Sequence, residues 1–275
     1  MLASSRAELL KLGKRPATWL LGGVWLCMLL TFGYLLPYFS KDSAAPGPGG
    51  GPLLDTLPEN LVGNAVGGFA LFGGALAMIL GALVAGSEYG WGSLKTVLTQ
   101  RPGRLSILGG TLSALAAVLL AVTVATFVVA AGASAGIATL ESLPIIWPGL
   151  AALAQGIGVG WLVLGMWCLF GFALGTLTRG TALAIGLGLV WALVVENLVR
   201  ASAGAISLLD TVQRAFPGVN AGSLVAAVGA GGEGRDATPG VSAIVDATQA
   251  VFVVAGLLVA FAVVAAALLQ RRDVV

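Results

Sequence analysis

Apolar residues in this chain gather into long runs, and polar residues collect in the short stretches between them. Six runs stand out, at approximately 17–38, 62–86, 105–133, 149–177, 181–200 and 247–270. Five carry no charged residue, and the run at 181–200 holds only Glu196 and Arg200 near its end. A hydrocarbon core of about 30 Å needs roughly 20 residues of helix at 1.5 Å per residue, a length every run meets. An unsatisfied backbone group in lipid costs several kcal/mol, so a span is either a helix or part of a closed barrel. These runs lack the two-residue alternation of barrel strands. The pattern predicts an all-α membrane protein, with six transmembrane helices forming a single transmembrane domain over residues 1–275. Small residues recur at four-residue spacing, as in Gly63 and Gly67 or Gly156 and Gly160, which lets helix backbones approach closely.

Composition agrees: 58% of residues are hydrophobic, 9% are charged, and histidine is absent, which excludes an ordinary soluble domain. Charge then sets a direction. Lys and Arg near span ends are retained in the cytoplasm. An N-terminus inside places Arg6, Lys11, Lys14, Arg15, Lys95, Arg101, Arg104, Arg179, Arg271 and Arg272 there, and leaves only Lys41, Arg200, Arg214 and Arg235 outside. Both termini are therefore expected in the cytoplasm, and the Arg-, Ala- and Gly-rich composition suits a bacterial plasma membrane. The first run follows a leader containing Glu8 and exceeds a signal-peptide core of about 7 to 15 residues, so it reads as a retained anchor. Cys27 and Cys168 fall inside spans without metal-ligand spacing and read as packing residues; no metal site is expected.

Ahead of the first span, Ser5 and Glu8 have the spacing of a capping box, and Leu9 and Leu12 share a face. With Arg6, Lys11, Lys14 and Arg15 this predicts an N-terminal interfacial helix. A merely basic leader that sets topology would need the same charges. Pro16 suits the first turn of a new helix, so a bend is expected there. Residues 45–52, Ala-Pro-Gly-Pro-Gly-Gly-Gly-Pro, form a spacer. Between spans five and six, Ala205–Phe216 and Ser223–Val228 are apolar but too short to cross. Pro217-Gly218 lies between them, predicting two short outer helices dipping into the interface, with Gly231–Gly240 as loop.

The most informative segment is polar. From Gly92 or Ser93 onward, Leu94, Val97, Leu98 and Arg101 fall on one helical face while Lys95, Thr96, Thr99 and Gln100 face elsewhere. Ser93 can cap the start and Pro102-Gly103 can end the helix. The spacing predicts a short amphipathic cytoplasmic helix tied at both ends to spans two and three. A plain polar loop would need neither the amphipathic period nor the Gly and Pro punctuation.

Glu88, Gly92-Ser93-Leu94, Leu98, Arg101-Pro102 and Arg104 resemble the signature of ABC-2 type transporter permeases, in which an acidic residue precedes Gly-Thr-Leu and a later Pro is followed by a basic residue. Ser93 departs from the usual Thr but keeps the hydroxyl. The resemblance implies the permease subunit of an ATP-binding cassette exporter, with Glu88, Gly92, Ser93, Leu94, Lys95, Val97, Leu98, Arg101, Pro102 and Arg104 forming a coupling helix that docks on a cytoplasmic ABC ATPase. It implies a second permease chain, identical or not, within the bilayer. No phosphate loop of the form Gly-x-x-x-x-Gly-Lys-Ser/Thr occurs in the chain, so ATP and magnesium are expected on the partner and no cofactor on this chain. No nucleic acid partner and no catalytic residue are expected.

The middle of every span lacks ionisable residues, whereas Asn64, Gln155, Glu196, Asn197, Asp246 and Gln249 gather toward the outer ends. One reading is a polar outer vestibule built from Asn64, Gln155, Glu196, Asn197 and Gln249, with Glu196 paired to Arg200 one turn on. The other is solvation at headgroup level, where polar groups are cheap. Trp161, Trp167, Phe170 and Phe172 either line an apolar cavity or face lipid and neighbouring helices. An ion-coupled secondary transporter would need a midplane acid or an interrupted-helix ion site. A membrane enzyme would need a cytoplasmic cluster of acids or histidines, and neither signal occurs. A non-transporting membrane partner of an ATPase would share the coupling signature.

Overall fold

A computed structural model describes residues 2–41, 52–90, 103–203, 206–231 and 238–271. Every regular element among the described residues is helical, and six helices are long and apolar enough to cross a membrane: Pro16–Phe39, Pro58–Tyr89, Arg104–Leu140, Leu150–Thr178, Thr181–Ala203 and Ala247–Arg271. Each overlaps one predicted run. The third reaches seven residues beyond its predicted end. At 37 residues it is about 55 Å long at 1.5 Å per residue, longer than the hydrocarbon needs. Residues 45–51 of the Pro-Gly spacer, the greater part of the Gly231–Gly240 loop and the predicted amphipathic helix lie outside the described residues, while Pro52 opens a short helix, Pro52–Asp55.

Spans two and four form the centre. About three-fifths of the most apolar stretch of each is buried, at 61%, against 17%, 22% and 11% in spans one, five and six. Glycine allows this closeness. A Cβ built on Gly81 would lie 1.9 Å from the Cys168 carbonyl oxygen, and one on Gly171 1.9 Å from that of Met78. The two backbones therefore touch without side chains between them, the arrangement that small residues permit where lipid tails remove any hydrophobic drive for association. Gly175 continues the seam toward Ala82 and Ala85. Of the spacings noted in the sequence, Gly156 and Gly160 also lie in close packing, against Val62 and Phe127 and against Phe69.

The leader helix, Leu2–Lys14, does not stand apart from the bundle. It packs along the first turns of the third span, where Ser113 donates a hydrogen bond to Ser5 at 2.7 Å and Gly110 makes room for Ser4. Leu12 is fully buried, while Leu9 and Leu10 remain exposed. The sequence paired Leu9 with Leu12, but the protein-facing stripe is Ser5, Glu8 and Leu12, and Leu9 lies to its side. Arg15 breaks the helix and Pro16 opens the next, as Pro does at a first turn. This end of the bundle is called the leader end below, and the opposite one the far end.

Three spans contain a wider π-helical turn: Thr31–Leu35 toward the far end of span one, and Phe69–Gly73 and Val190–Val195 near the middle of spans two and five. In the second span the Gly73 amide reaches back to the Gly68 carbonyl at 2.9 Å, five residues away. Such bulges reorient the helix beyond them. Polar side chains pin span one to span three along its length. Trp25 Nε1 donates to Thr126 Oγ1 at 2.9 Å, and Ser134 Oγ lies 3.3 Å from the Tyr34 hydroxyl. At the far end, Tyr38 donates to Glu141 at 2.9 Å and Lys41 contacts the same carboxylate.

The seam predicts that Gly81→Ala and Gly171→Ala each lower the melting temperature of the detergent-solubilised protein, because overpacking of this kind costs about 1–3 kcal/mol. Gly132→Ala and Gly256→Ala, whose added methyls meet nothing within 4 Å, should not lower it, since Ala is favoured over Gly inside a helix. A second expectation concerns pH. Lys41 first, then Tyr38, holds the Glu141 carboxyl below its ordinary value of 4.5. A carboxylate with a lowered folded pKa contributes stability that is complete above the unfolded value and is lost as pH falls through the folded one. Melting measured from about pH 5 down to about pH 3 should therefore fall more steeply in the wild type than in Glu141→Gln.

Candidate functional site

Two described residues flank the stretch singled out in the sequence, and both are tied to other helices. Glu88, near the end of span two, receives Lys11 and Arg15 of the leader: Lys11 contacts its Oε1 directly, and Arg15 Nη2 lies 3.4 Å from the same oxygen. Lys11 also lies 3.7 Å from Glu8. These side chains are largely enclosed, with 33%, 14% and 18% of the Lys11, Arg15 and Glu88 side chains exposed, so solvent screens the pairing less than at an open surface.

Arg104 opens the third span. Its Nη1 donates to the Leu269 carbonyl at 3.0 Å and to that of Gln270 at 3.3 Å, at the end of span six. The last carbonyls of a helix have no intrahelical donors, and a guanidinium suits both their geometry and the negative helix end. The described flanks of this stretch are thus anchored, Glu88 on the leader and Arg104 on span six. Gly92, Ser93, Leu94, Lys95, Val97, Leu98, Arg101 and Pro102 lie outside the described residues. Beside span two, the turn Thr178-Arg179-Gly180 packs against Gly86, where a Cβ would lie 2.7 Å from the Thr181 amide nitrogen. Arg179 takes a left-handed conformation there, with φ of 55°.

At the far end, the residues proposed for a vestibule divide. Asn64 donates to the Asp55 carbonyl at 2.5 Å, and Gln155 is exposed. Asn197 donates to the carbonyls of Leu193, at 3.0 Å, and Ala192, at 3.4 Å, inside the π-helical turn of span five. Those three serve local backbone or face outward. Glu196 and Gln249 both meet one stretch, residues 214–218, and Gln249 donates to the Arg214 carbonyl at 3.3 Å.

Glu196 is 2% exposed, which removes the reading that it is solvated among headgroups. Its Oε1 accepts from Trp191 Nε1 at 2.9 Å, and the Gly218 amide donates to the same carboxylate. No ion pair joins it to Arg200 among the described residues. Gly218 opens a helix that the sequence placed in the interface, Pro217–Ala226, following a first outer helix at Ser207–Gln213. Every residue from Pro217 to Val225 is buried, so this helix is inserted among spans two, four and six and does not lie along a membrane surface. A carboxylate at the first turn of a helix meets both unpaired amides and the positive helix end.

The rest of the insert is built around small residues and internal hydrogen bonds. Asn220 Nδ2 donates to the Arg214 and Phe216 carbonyls, each at 2.8 Å. Ser223 donates to the Ser242 carbonyl at 2.8 Å and accepts from the Ile244 amide at 3.2 Å. A Cβ on Gly222 would lie 2.1 Å from the Gly240 carbonyl oxygen. Trp191 stacks near Phe216, ring centroids 5.5 Å apart, completing a clasp between span five and the insert. The signal for this burial was present in the run Pro-Gly-Val-Asn-Ala-Gly-Ser-Leu-Val, which has no charge and small residues on every face.

The clasp predicts a graded series. Glu196→Ala leaves the Trp191 and Gly218 donors without an acceptor, at about 1–3 kcal/mol for each buried group. Gly218→Ala drives a methyl to 2.0 Å from Glu196 Oε2. Both should speed hydrogen exchange of the amides in 217–226, with Glu196→Gln intermediate because its carbonyl still accepts from Trp191. Equal exchange in all three would remove the clasp. No protein-family model matches the chain and no curated protein matches it, so the reading of its role rests on its own residues.

Proposed function

We propose that this chain is the permease subunit of an ATP-driven exporter of the ABC-2 type, forming part of a substrate pathway through a bacterial plasma membrane with both termini cytoplasmic. One observation carries the reading. The polar segment between spans two and three has an amphipathic period, and its described flanks, Glu88 and Arg104, are fastened to the leader helix and to span six. A rod held in that manner transmits a displacement to the leader helix and span six as well as to the two spans it connects.

The cytoplasmic partner in this reading is a separate ATPase subunit that binds ATP and magnesium and docks on Leu94, Val97 and Leu98, with Lys95 and Arg101 at the margins. A second permease chain completes the pathway. The contrast between the packed pair of spans two and four and the exposed spans one, five and six supports an assembly in which the peripheral spans face lipid or another subunit. At the far end, the clasped insert closes the pathway in this reading, and Glu196 serves as a positioning residue for that closure, not as a ligand for cargo.

The test is association. Leu94→Glu and Val97→Glu should abolish co-purification of the ATPase while leaving membrane insertion and melting temperature at wild-type values. An ATPase retained by both variants would overturn the docking assignment.

A further inference from the structure

We propose that a slot between span one and spans two and three holds an acyl chain of a phospholipid from the leaflet at the leader end. Span one is pinned below by Lys11 and Arg15 on Glu88 and at mid-height by Trp25 on Thr126. Between the pins it stands away from its neighbours. Thr18, Leu21, Gly22 and Trp25 line one side of the gap, at the i, i+3, i+4 and i+7 spacing of a single helix face, and Leu76 and Val118 are among the residues opposite. The cavity measures about 40 Å³.

Water does not suit this space. A buried water needs two to four polar partners, and the slot offers few. Trp25 already donates to Thr126. The Thr18 hydroxyl oxygen is buried without a hydrogen-bond partner among the described residues, a single polar atom at the leader end of an apolar wall. Leu21, Gly22, Leu76 and Val118 are only part-buried, so the gap opens sideways toward the surrounding hydrocarbon. An empty apolar gap there would forfeit the dispersion contacts of its lining. Exposed Lys14 lies just before the first turn of span one, where it can meet the headgroup phosphate of the same lipid.

Two adjacent glycines give a matched test. An added side chain at Gly22 enters the slot, whereas one at Gly23 enters the open face lined by Trp19, Leu20 and Val24; neither Cβ meets an atom within 4 Å. The full chain in bilayers containing a phospholipid with a photoreactive group in its acyl chain should crosslink at Leu21, Leu76 and Val118 above the level at Leu20 and Val24. Gly22→Phe should lose that excess, and Gly23→Phe should keep it. Should Gly22→Phe fail to fold, Val118→Phe fills the slot from the third span. Equal labelling of slot and open face, or undiminished labelling in the folded slot variant, would overturn the proposal. So would intermolecular disulfides formed by Gly22→Cys, which would put a second copy of the chain in the gap. The proposal requires a membrane but no transport, so it stands or falls separately from the ATPase partnership.

Discussion

Backbone contact between spans two and four is the constraint on which the rest of the arrangement depends. In hydrocarbon, apolar side chains gain little by leaving lipid for one another, so helix association relies on close approach and dispersion. Gly81 against Cys168 and Gly171 against Met78 supply that approach, and Gly175 against Ala82 and Ala85 extends it toward the leader end. Because this seam lacks intervening side chains, it has little freedom to slide. Spans one, five and six pack around it with far less burial. They also carry discrete polar attachments at particular heights, including Trp25 on Thr126, Glu141 on Lys41 and Tyr38, and Glu196 on Trp191 and Gly218.

A stiff pair surrounded by pinned spans is a suitable arrangement for transmitting motion. Discrete attachments have definite made and broken states, whereas a continuous packed face resists displacement everywhere at once. The leader end carries two of them on either side of the amphipathic stretch, one running to span one through the leader and one to span six. The far end carries the clasp on the inserted helix. In the proposed exporter, a push at the first pair reaches the second through spans five and six, which flank the insert in the chain.

The six spans were legible because their signal is coarse: long uncharged runs have one physical solution in lipid, and boundaries agree to within a few residues except where the third helix continues past Ala133. Its extension was hidden because Ser134, Gly136 and Thr139 resemble a loop by composition. The Ser134 hydroxyl is nevertheless satisfied by Tyr34, and that of Thr139 by carbonyls of its own helix. The π-helical turns leave no compositional mark at all. For Glu196 the residue type was visible but its environment was not, since a carboxylate near a span end is cheap in headgroups and becomes informative only when another helix covers it. That cover came from Pro217–Ala226, whose burial depends on tertiary contacts with three spans and not on its own hydropathy. Glu88 and Arg104 were legible as charges beside the motif, while their partners on the leader and on span six required the fold.

In the proposed exporter, residues 92–101 form a cytoplasmic docking surface for a nucleotide-hydrolysing subunit. A single thiol at Val97→Cys, in a chain otherwise freed of cysteine by Cys27→Ser and Cys168→Ala, can be probed with a membrane-impermeant maleimide. Coupling predicts reaction only from the side that holds the leader helix, and protection when the ATPase is present. Reaction from the opposite side, or a labelling rate that the ATPase leaves unchanged, would contradict it.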